Sequence, residues 1–259
     1  MAILGPHYST YEVAVHDFLL AREFGLIASM HCAGAEAKTP DGWERLAKEG
    51  LLGNNNNIVH GNNLTTEQLK MMIDLGVTFS LTPEMEMTQG HGYPITGRLR
   101  ALGSAPSLGV DLESGISGDM FTVVRMAMGM QRAIDNANSK TEHGKLPDTS
   151  TIHCREALEW ITIRGAQALN LEDRIGSLKV GKKADLVIIR ATDLNMVPIH
   201  DPVSTVVMQT SLHNIDTVII NGQVKKKDGK ILFENLDAYK SQLEKSGKGL
   251  MEKLRKSMH

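Results

Sequence analysis

The chain has 259 residues, of which 41% are apolar and 22% charged, and its formal net charge is -2. That length accommodates one large core, or a domain with a small appendage, and the composition is that of an ordinary globular protein. The near-neutral balance gives no electrostatic footprint for nucleic acid, which would need a basic face, and no apolar stretch approaches the ~20 residues of a membrane helix. Met1-Ala2-Ile3-Leu4-Gly5-Pro6 has no basic region or cleavage site of a secretory leader. Cys32 and Cys154 form no Cys-x-x-Cys pair, so two reduced thiols in a cytoplasmic protein are expected. Many of the 14 methionines, among them Met71, Met72, Met126, Met128 and Met130, fall in apolar or helical stretches as flexible core filling.

Ser9-Thr10-Tyr11-Glu12 predicts a helix entry, with Ser9 as cap and Glu12 reaching back. Apolar residues recur at Val13, Val15, Phe18, Leu19 and Ala21, and Gly25 stops the helix. Leu26 to His31 reads as a buried strand, Asp41 to Glu49 as a helix ended by Gly50, and Asn57 to His60 as a second strand. Thr65 caps a helix that carries Leu69, Met72, Ile73 and Leu75 and stops at Gly76. Val77 to Leu81 is a third strand. A short helical stretch closes over Arg98 to Ala101, Ala105 to Val110 is a fourth strand, and Asp119 to Asn136 is a long helix. This alternation predicts βα units around a parallel sheet.

Lys140 to Thr149 reads as a loop, and Cys154 to Leu169 as one amphipathic helix. Beyond Arg174 the pattern changes to short β-rich runs at Val187 to Arg190, Val203 to Gln209, Val218 to Asn221 and Gln223 to Lys225. Asn221-Gly222 has the signature of a two-residue hairpin turn. Leu236 to Met258 reads as a charged helix, and Lys225-Lys226-Lys227 as a solvated edge that discourages pairing. The expected units are therefore residues 1–172, 173–235 and 236–259.

Three side chains able to hold a metal end successive predicted strands: His31, His60 and Asp111. In a β/α barrel the C-terminal strand ends converge, and active sites are assembled there. Imidazole and carboxylate suit Zn²⁺ or Fe²⁺, and such a cation brings the pKa of water towards neutrality. A lone histidine at a strand end is more often a hydrogen-bonded core or rim residue. The functional reading rests on the three occurring at the same end of successive strands.

His31, the run Ile58-Val59-His60-Gly61-Asn62-Asn63-Leu64 and Leu108-Gly109-Val110-Asp111 together resemble the amidohydrolase superfamily. The similarity is to its branch of cytosine and guanine deaminases and triazine hydrolases. It extends through Ala157 to Leu169, through Ile175-Gly176-Ser177-Leu178-Lys179-Val180-Gly181-Lys182-Lys183-Ala184-Asp185-Leu186-Val187, and through Val218 to Val224. About residues 3 to 235 are covered, and the Ile-Gly-Ser-Leu to Asp-Leu-Val run is the most specific part. The resemblance implies a metal-dependent (β/α)8 barrel flanked by a small β-sandwich, with hydrolysis of non-peptide C–N bonds in a small cyclic or amide substrate.

By that resemblance His31 is the strand-five metal ligand, and His60 the strand-six histidine that orients water and substrate. Asp111 is the strand-eight ligand that also accepts and returns a proton. The four predicted strands are then strands five to eight, with Met1 to Pro6 as the end of strand four. The family's His-x-His pair is found nowhere among the ten histidines. The expectation is the C-terminal half of a barrel, holding one divalent metal (zinc or iron) in a longer protein, with no metal in this chain as the alternative. Deaminases of the branch often carry Glu three positions after the strand-five histidine. Here that position is Gly34, with Glu36 off register, which weighs against deamination more than against hydrolysis in general. Glu84 and Glu86 are candidate acids, with a rim position favoured for both; Glu84, His60 and His91 are candidate substrate contacts. Exposed edges of a half barrel imply a homo-oligomer. The competing reading is a non-catalytic remnant that acts only through association.

Overall fold

The computed structural model of the protein describes residues 1–258; His259, the residue after the predicted helical tail, lies outside them. The first part alternates strands and helices: β1 (Ala2–Ile3), α1 (Gly5–Tyr8), α2 (Tyr11–Glu23), β2 (Ala28–Cys32), α3 (Gly42–Lys48), β3 (Asn56–His60), α4 (Thr66–Asp74), β4 (Thr78–Leu81), α5 (Pro83–Gln89), α6 (Thr96–Ala101) and β5 (Ser107–Leu108). These five strands form one parallel sheet in sequential order, so each crossover brings the chain back beside the strand it left. The mixed α/β expectation is met.

Register explains the two faces of the sheet. Met30 lies beside Ile58, and Ile58 beside Phe79; Leu81 lies beside Leu108. These side chains are buried, and helices α2, α3 and α4 contribute Phe18, Leu46, Leu69 and Met72 to the same core, which Val123 and Val124 join. Burial of each such large apolar side chain contributes roughly 1.5–3 kcal/mol. The opposite face is polar: Ser29 donates to Asn57, Asn57 to Thr78, and Ser80 shares a 2.8 Å hydrogen bond with Ser107. A parallel sheet normally has both faces under apolar cover. Here the polar face leads to the strand ends that carry His31 and Asp111.

The caps account for several boundaries. At α4, Thr65, the predicted cap, accepts from Gln68 N, and Gln68 also reaches back to Thr65 N. At α2 the cap differs from expectation. Thr10 is the first flanking residue, and Ser9 Oγ donates to Gly5 O, because the preceding turn α1 already claims Ser9. Val13 and Leu19 then face outward, while Tyr11, Ala14, Phe18 and Ala21 face the core.

The second part begins with α7 (Met120–His143), capped by Asp119, which accepts from Phe121 N at 2.9 Å. It runs seven residues beyond the predicted end at Asn136, into the predicted loop, and stops at Gly144 in a left-handed conformation. The expected single helix over Cys154 to Leu169 is two, α8 (Cys154–Trp160) and α9 (Ile163–Ala168), broken where Thr162 leaves helical geometry. After β6 (Leu186–Ile189) comes α10 (Pro202–Gln209). Its β-branched residues predict a strand over Val203 to Gln209, and the structure overturns this. Asp201 caps Val203 N and Ser204 N, Pro202 sets the first turn, and Val207 is buried in the core formed with α7 and α8.

Strands β7 (Ile215–Ile220), β8 (Gln223–Lys227) and β9 (Lys230–Ile231) join β6 in an antiparallel sheet of order β6-β7-β8-β9. It is one sheet rather than a two-sheet sandwich. Asn221-Gly222 turns β7 into β8 with both residues at positive φ, as expected, and Asp228-Gly229 does the same between β8 and β9. The tail α11 (Leu236–Ser257) buries no residue. No helix among the described residues is long and apolar enough to cross a membrane.

Candidate functional site

His31, His60 and Asp111 come from the C-terminal ends of β2, β3 and β5. The His31 and His60 rings lie 5.4 Å apart, and His60 Nε2 is 3.9 Å from Asp111 Oδ2. His91 closes on the same group, with its ring 5.3 Å from that of His60. Three of the four expected strand-end or loop candidates therefore surround His60, which is itself buried.

Strand alternation alone does not make this arrangement. His60 lies beside Cys32 in the register, on the apolar side, whereas His31 lies on the polar side. At His60 the backbone leaves the extended conformation (φ 70°), which turns the ring towards His31 and Asp111. Asp111 does likewise (φ 66°), three residues past Leu108. The predicted strand to Val110 is thus shorter, and Asp111 stands in a bend after it. A left-handed non-glycine residue costs of order 1–3 kcal/mol, and such residues cluster at functional sites. Gly61 follows at φ 81°, and its N–H donates to Cys32 O at 3.0 Å, which ties the bend to β2.

Glu86 is the residue whose place differs most from expectation. A rim carboxylate is expected; the structure buries it completely. Its Oε1 accepts from Thr82 N at 2.8 Å and lies 3.2 Å from His60 Nδ1, while Thr82 Oγ1 lies 3.1 Å from the same nitrogen. Glu86 Oε2 and His91 Nδ1 are buried with no hydrogen-bond partner. The signal for this contact is Thr82-Pro83 as a helix start and Gly90 as its stop, which together frame α5. Glu84, in the same helix, is partly exposed: Ser117 N and Ser117 Oγ donate to its two carboxylate oxygens at 3.1 and 2.7 Å. The structure does not bring it into the His60 group; it ties the 112–118 segment to α5.

Burial holds the His31 imidazole below the usual histidine range, although the residue as a whole is exposed to solvent. Nearby His60 pushes in the same direction, Asp111 opposes it, and His91 adds to the lowering. A neutral imidazole is the form that binds a cation. Deeper in, His7 is also held below the usual range, chiefly by burial. Its Nε2 faces Ala33 O at 3.2 Å, and its Nδ1 faces Cys32 Sγ at 3.7 Å, so the thiol donates to Nδ1. Burial pushes the Cys32 thiol up to about 12. His31 and Asp111 carry donor types suited to zinc or iron. Among the described residues no group of three or more His, Cys, Asp or Glu is placed to hold a metal ion.

A model of the amidohydrolase family matches residues 7–225. A 5-methylthioadenosine/S-adenosylhomocysteine deaminase of Teredinibacter turnerae is 30% identical over 188 residues, covering 71% of this chain and 40% of that protein. Among solved structures, an adenosine deaminase from Xanthomonas campestris with bound zinc superposes with a TM-score of 0.81 at 23% identity, over 94% of this chain and 55% of that one. An atrazine chlorohydrolase from Arthrobacter aurescens complexed with zinc gives 0.79 at 20% identity, over 93% and 53%. The chain spans about half the length of these relatives.

Proposed function

This chain belongs to the amidohydrolase family, and on that premise we propose that it serves the metal-assisted hydrolysis of a non-peptide C–N bond in a small cyclic or amide substrate. Adenosine-like heterocycles are the first class to test, since relatives are named as deaminases of such compounds. The observation that carries the reading is the meeting of His31, His60 and Asp111 at the C-terminal ends of parallel strands. In this reading the parallel sheet corresponds to the later strands of an eight-stranded barrel, its polar face turned inward. The sheet β6 to β9 forms a unit that starts after residue 172, but α10 stays with the core of α7 and α8 rather than with that sheet; the tail begins near residue 235.

His31 and Asp111 would hold a divalent cation, zinc or iron, together with donors from outside the described residues. The cation supplies Lewis acidity that makes water nucleophilic near neutral pH. Asp111 accepts a proton from the attacking water as the C–O bond forms, then returns it to the leaving nitrogen as the C–N bond breaks. His60, 3.9 Å from Asp111, orients water and substrate beside that carboxylate. His91, its ring 5.3 Å from that of His60, borders the place of the substrate. Glu84 contributes by holding the 112–118 segment through Ser117.

The lack of a third metal donor among the described residues favours a second reading, in which this chain binds little metal and has no turnover by itself. Zinc content after equilibrium dialysis, with His31→Ala and Asp111→Ala alongside, separates the two. About one zinc per chain, lost in both variants, is expected. No zinc above background in the wild type would leave only the second reading. Zinc retained by both variants would place the metal elsewhere.

A further inference from the structure

We propose that Glu86 is the positioning residue of the site: it fixes the proton of the His60 ring on Nδ1 and leaves Nε2 as the acceptor that faces Asp111. His60 Nδ1 has two neighbours within hydrogen-bond distance, Glu86 Oε1 at 3.2 Å and Thr82 Oγ1 at 3.1 Å. They make opposite demands. Glu86 Oε1 already accepts from the Thr82 N–H and acts as an acceptor towards the ring as well, so it calls for Nδ1–H. A hydroxyl can donate, so Thr82 would allow a bare Nδ1 and move the proton to Nε2. The environment decides between them. Glu86 is completely buried, with Oε1 anchored by the Thr82 N–H at 2.8 Å. A carboxylate oxygen placed against a bare ring nitrogen would set two acceptors together in a site without bulk water, at a cost of the size of a lost buried hydrogen bond. With the proton on Nδ1, Thr82 Oγ1 accepts a share of the same hydrogen bond.

The consequence lies on the other side of the ring. Nε2 is 3.9 Å from Asp111 Oδ2, too far for a direct hydrogen bond. With Nε2 bare, the ring and the carboxylate present two acceptors 3.9 Å apart, close enough for one group to bridge. They recognise a group that donates twice: water, an amine or a diol. With the proton on Nε2, the ring would instead donate towards Asp111 and compete for its lone pairs. Glu86 thereby sets which partner the site accepts, without touching it. The positioning role rests on the hydrolase reading, whereas the place of the proton does not.

The test is long-range ¹H–¹⁵N correlation spectroscopy of the histidine rings at mildly alkaline pH. It uses the wild-type chain, Glu86→Leu and Thr82→Val, with zinc content measured on the same samples. The wild type is expected to show a pyrrole-type Nδ1 and a pyridine-type Nε2 at His60. Thr82→Val is expected to keep that pattern, and Glu86→Leu to lose it in favour of Nε2–H. A wild-type ring protonated on Nε2, or on both nitrogens, overturns the inference. So does a Thr82→Val ring that switches, or a Glu86→Leu ring that does not. Should Glu86→Leu fail to fold, the wild type and Thr82→Val still decide, because Glu86 and Thr82 are the two groups in contact with Nδ1. The expected ring pattern without bound zinc sinks the hydrolase reading and leaves the hold of Glu86 on His60 standing. Zinc binding with the wrong ring pattern does the reverse.

Discussion

Gly61 follows His60 directly and fixes the bend that aims its ring, so Gly61→Ala tests whether that bend is built as described. Two costs can be worked out from its surroundings. The backbone sits at φ 81°, where a side chain costs roughly 1–2 kcal/mol. A Cβ there would meet Ile95 Cδ1 at 2.9 Å, with Leu64 Cδ1 at 3.5 Å and Phe79 Cδ1 at 3.8 Å. Ile95, Leu64 and Phe79 are all buried, so Ile95 has little room to withdraw, and such overpacking costs about 1–3 kcal/mol. Together the substitution should destabilise by about 2–5 kcal/mol, a large share of the roughly 5–15 kcal/mol of a folded domain. Gly50→Ala is the control: Gly50 has φ 66° with nothing within 4 Å of the added carbon, so only the backbone cost remains. Urea unfolding of both variants, read at constant m, gives the difference. Gly61→Ala should unfold at clearly lower urea than Gly50→Ala, and Ile95→Ala should recover part of the loss in a double-mutant cycle. Equal midpoints for the two glycine variants would refute the packing of Ile95 behind the His60 bend.

Acid should weaken the fold through His7. Its folded pKa is depressed while the unfolded chain binds a proton near pH ~6.5, so the stabilisation is present above that pH and is lost as pH falls through the folded value. In urea titrations His7→Gln should flatten that dependence in part, since His31 shifts in the same direction; an unchanged slope would rule out burial of a neutral His7. The two thiols should differ sharply towards a disulfide reagent. Cys32 is buried with its pKa pushed up to about 12, which leaves a thiolate fraction of roughly 10⁻⁴ at pH 8, while Cys154 is partly exposed. Cys154 should react first and Cys32 only on unfolding; fast reaction of both would contradict the packing at His7.

Much of the site was legible because its signal is periodic. Apolar runs that end in His31 and His60, separated by glycine-stopped helices, fix the βα rhythm, and that rhythm places both histidines at one end of the sheet. The parts that were not legible depend on contacts distant in sequence or on competing local chemistry. Glu86 looks like any acidic residue of a loop; its burial follows from the packing of α5 beneath His60, 26 residues away in sequence. Val203, Thr205, Val206 and Val207 favour a strand, yet the Asp201-Pro202 start and the burial of Val207 against two helices prevail. The apolar stripe from Cys154 to Leu169 carries no mark of the break at Thr162, which is a matter of backbone geometry. The turn of the His60 ring was likewise invisible, since strand parity alone puts it on the wrong face.

The central claim is that His31 and Asp111 share one cation beside His60. X-ray absorption at the zinc edge of the zinc-loaded protein tests it most directly. Imidazole nitrogen at about 2.0–2.1 Å together with oxygen ligands is predicted, with the imidazole signature reduced in His31→Ala. Sulfur scattering at about 2.3 Å, or a spectrum unchanged in His31→Ala and Asp111→Ala, would contradict it.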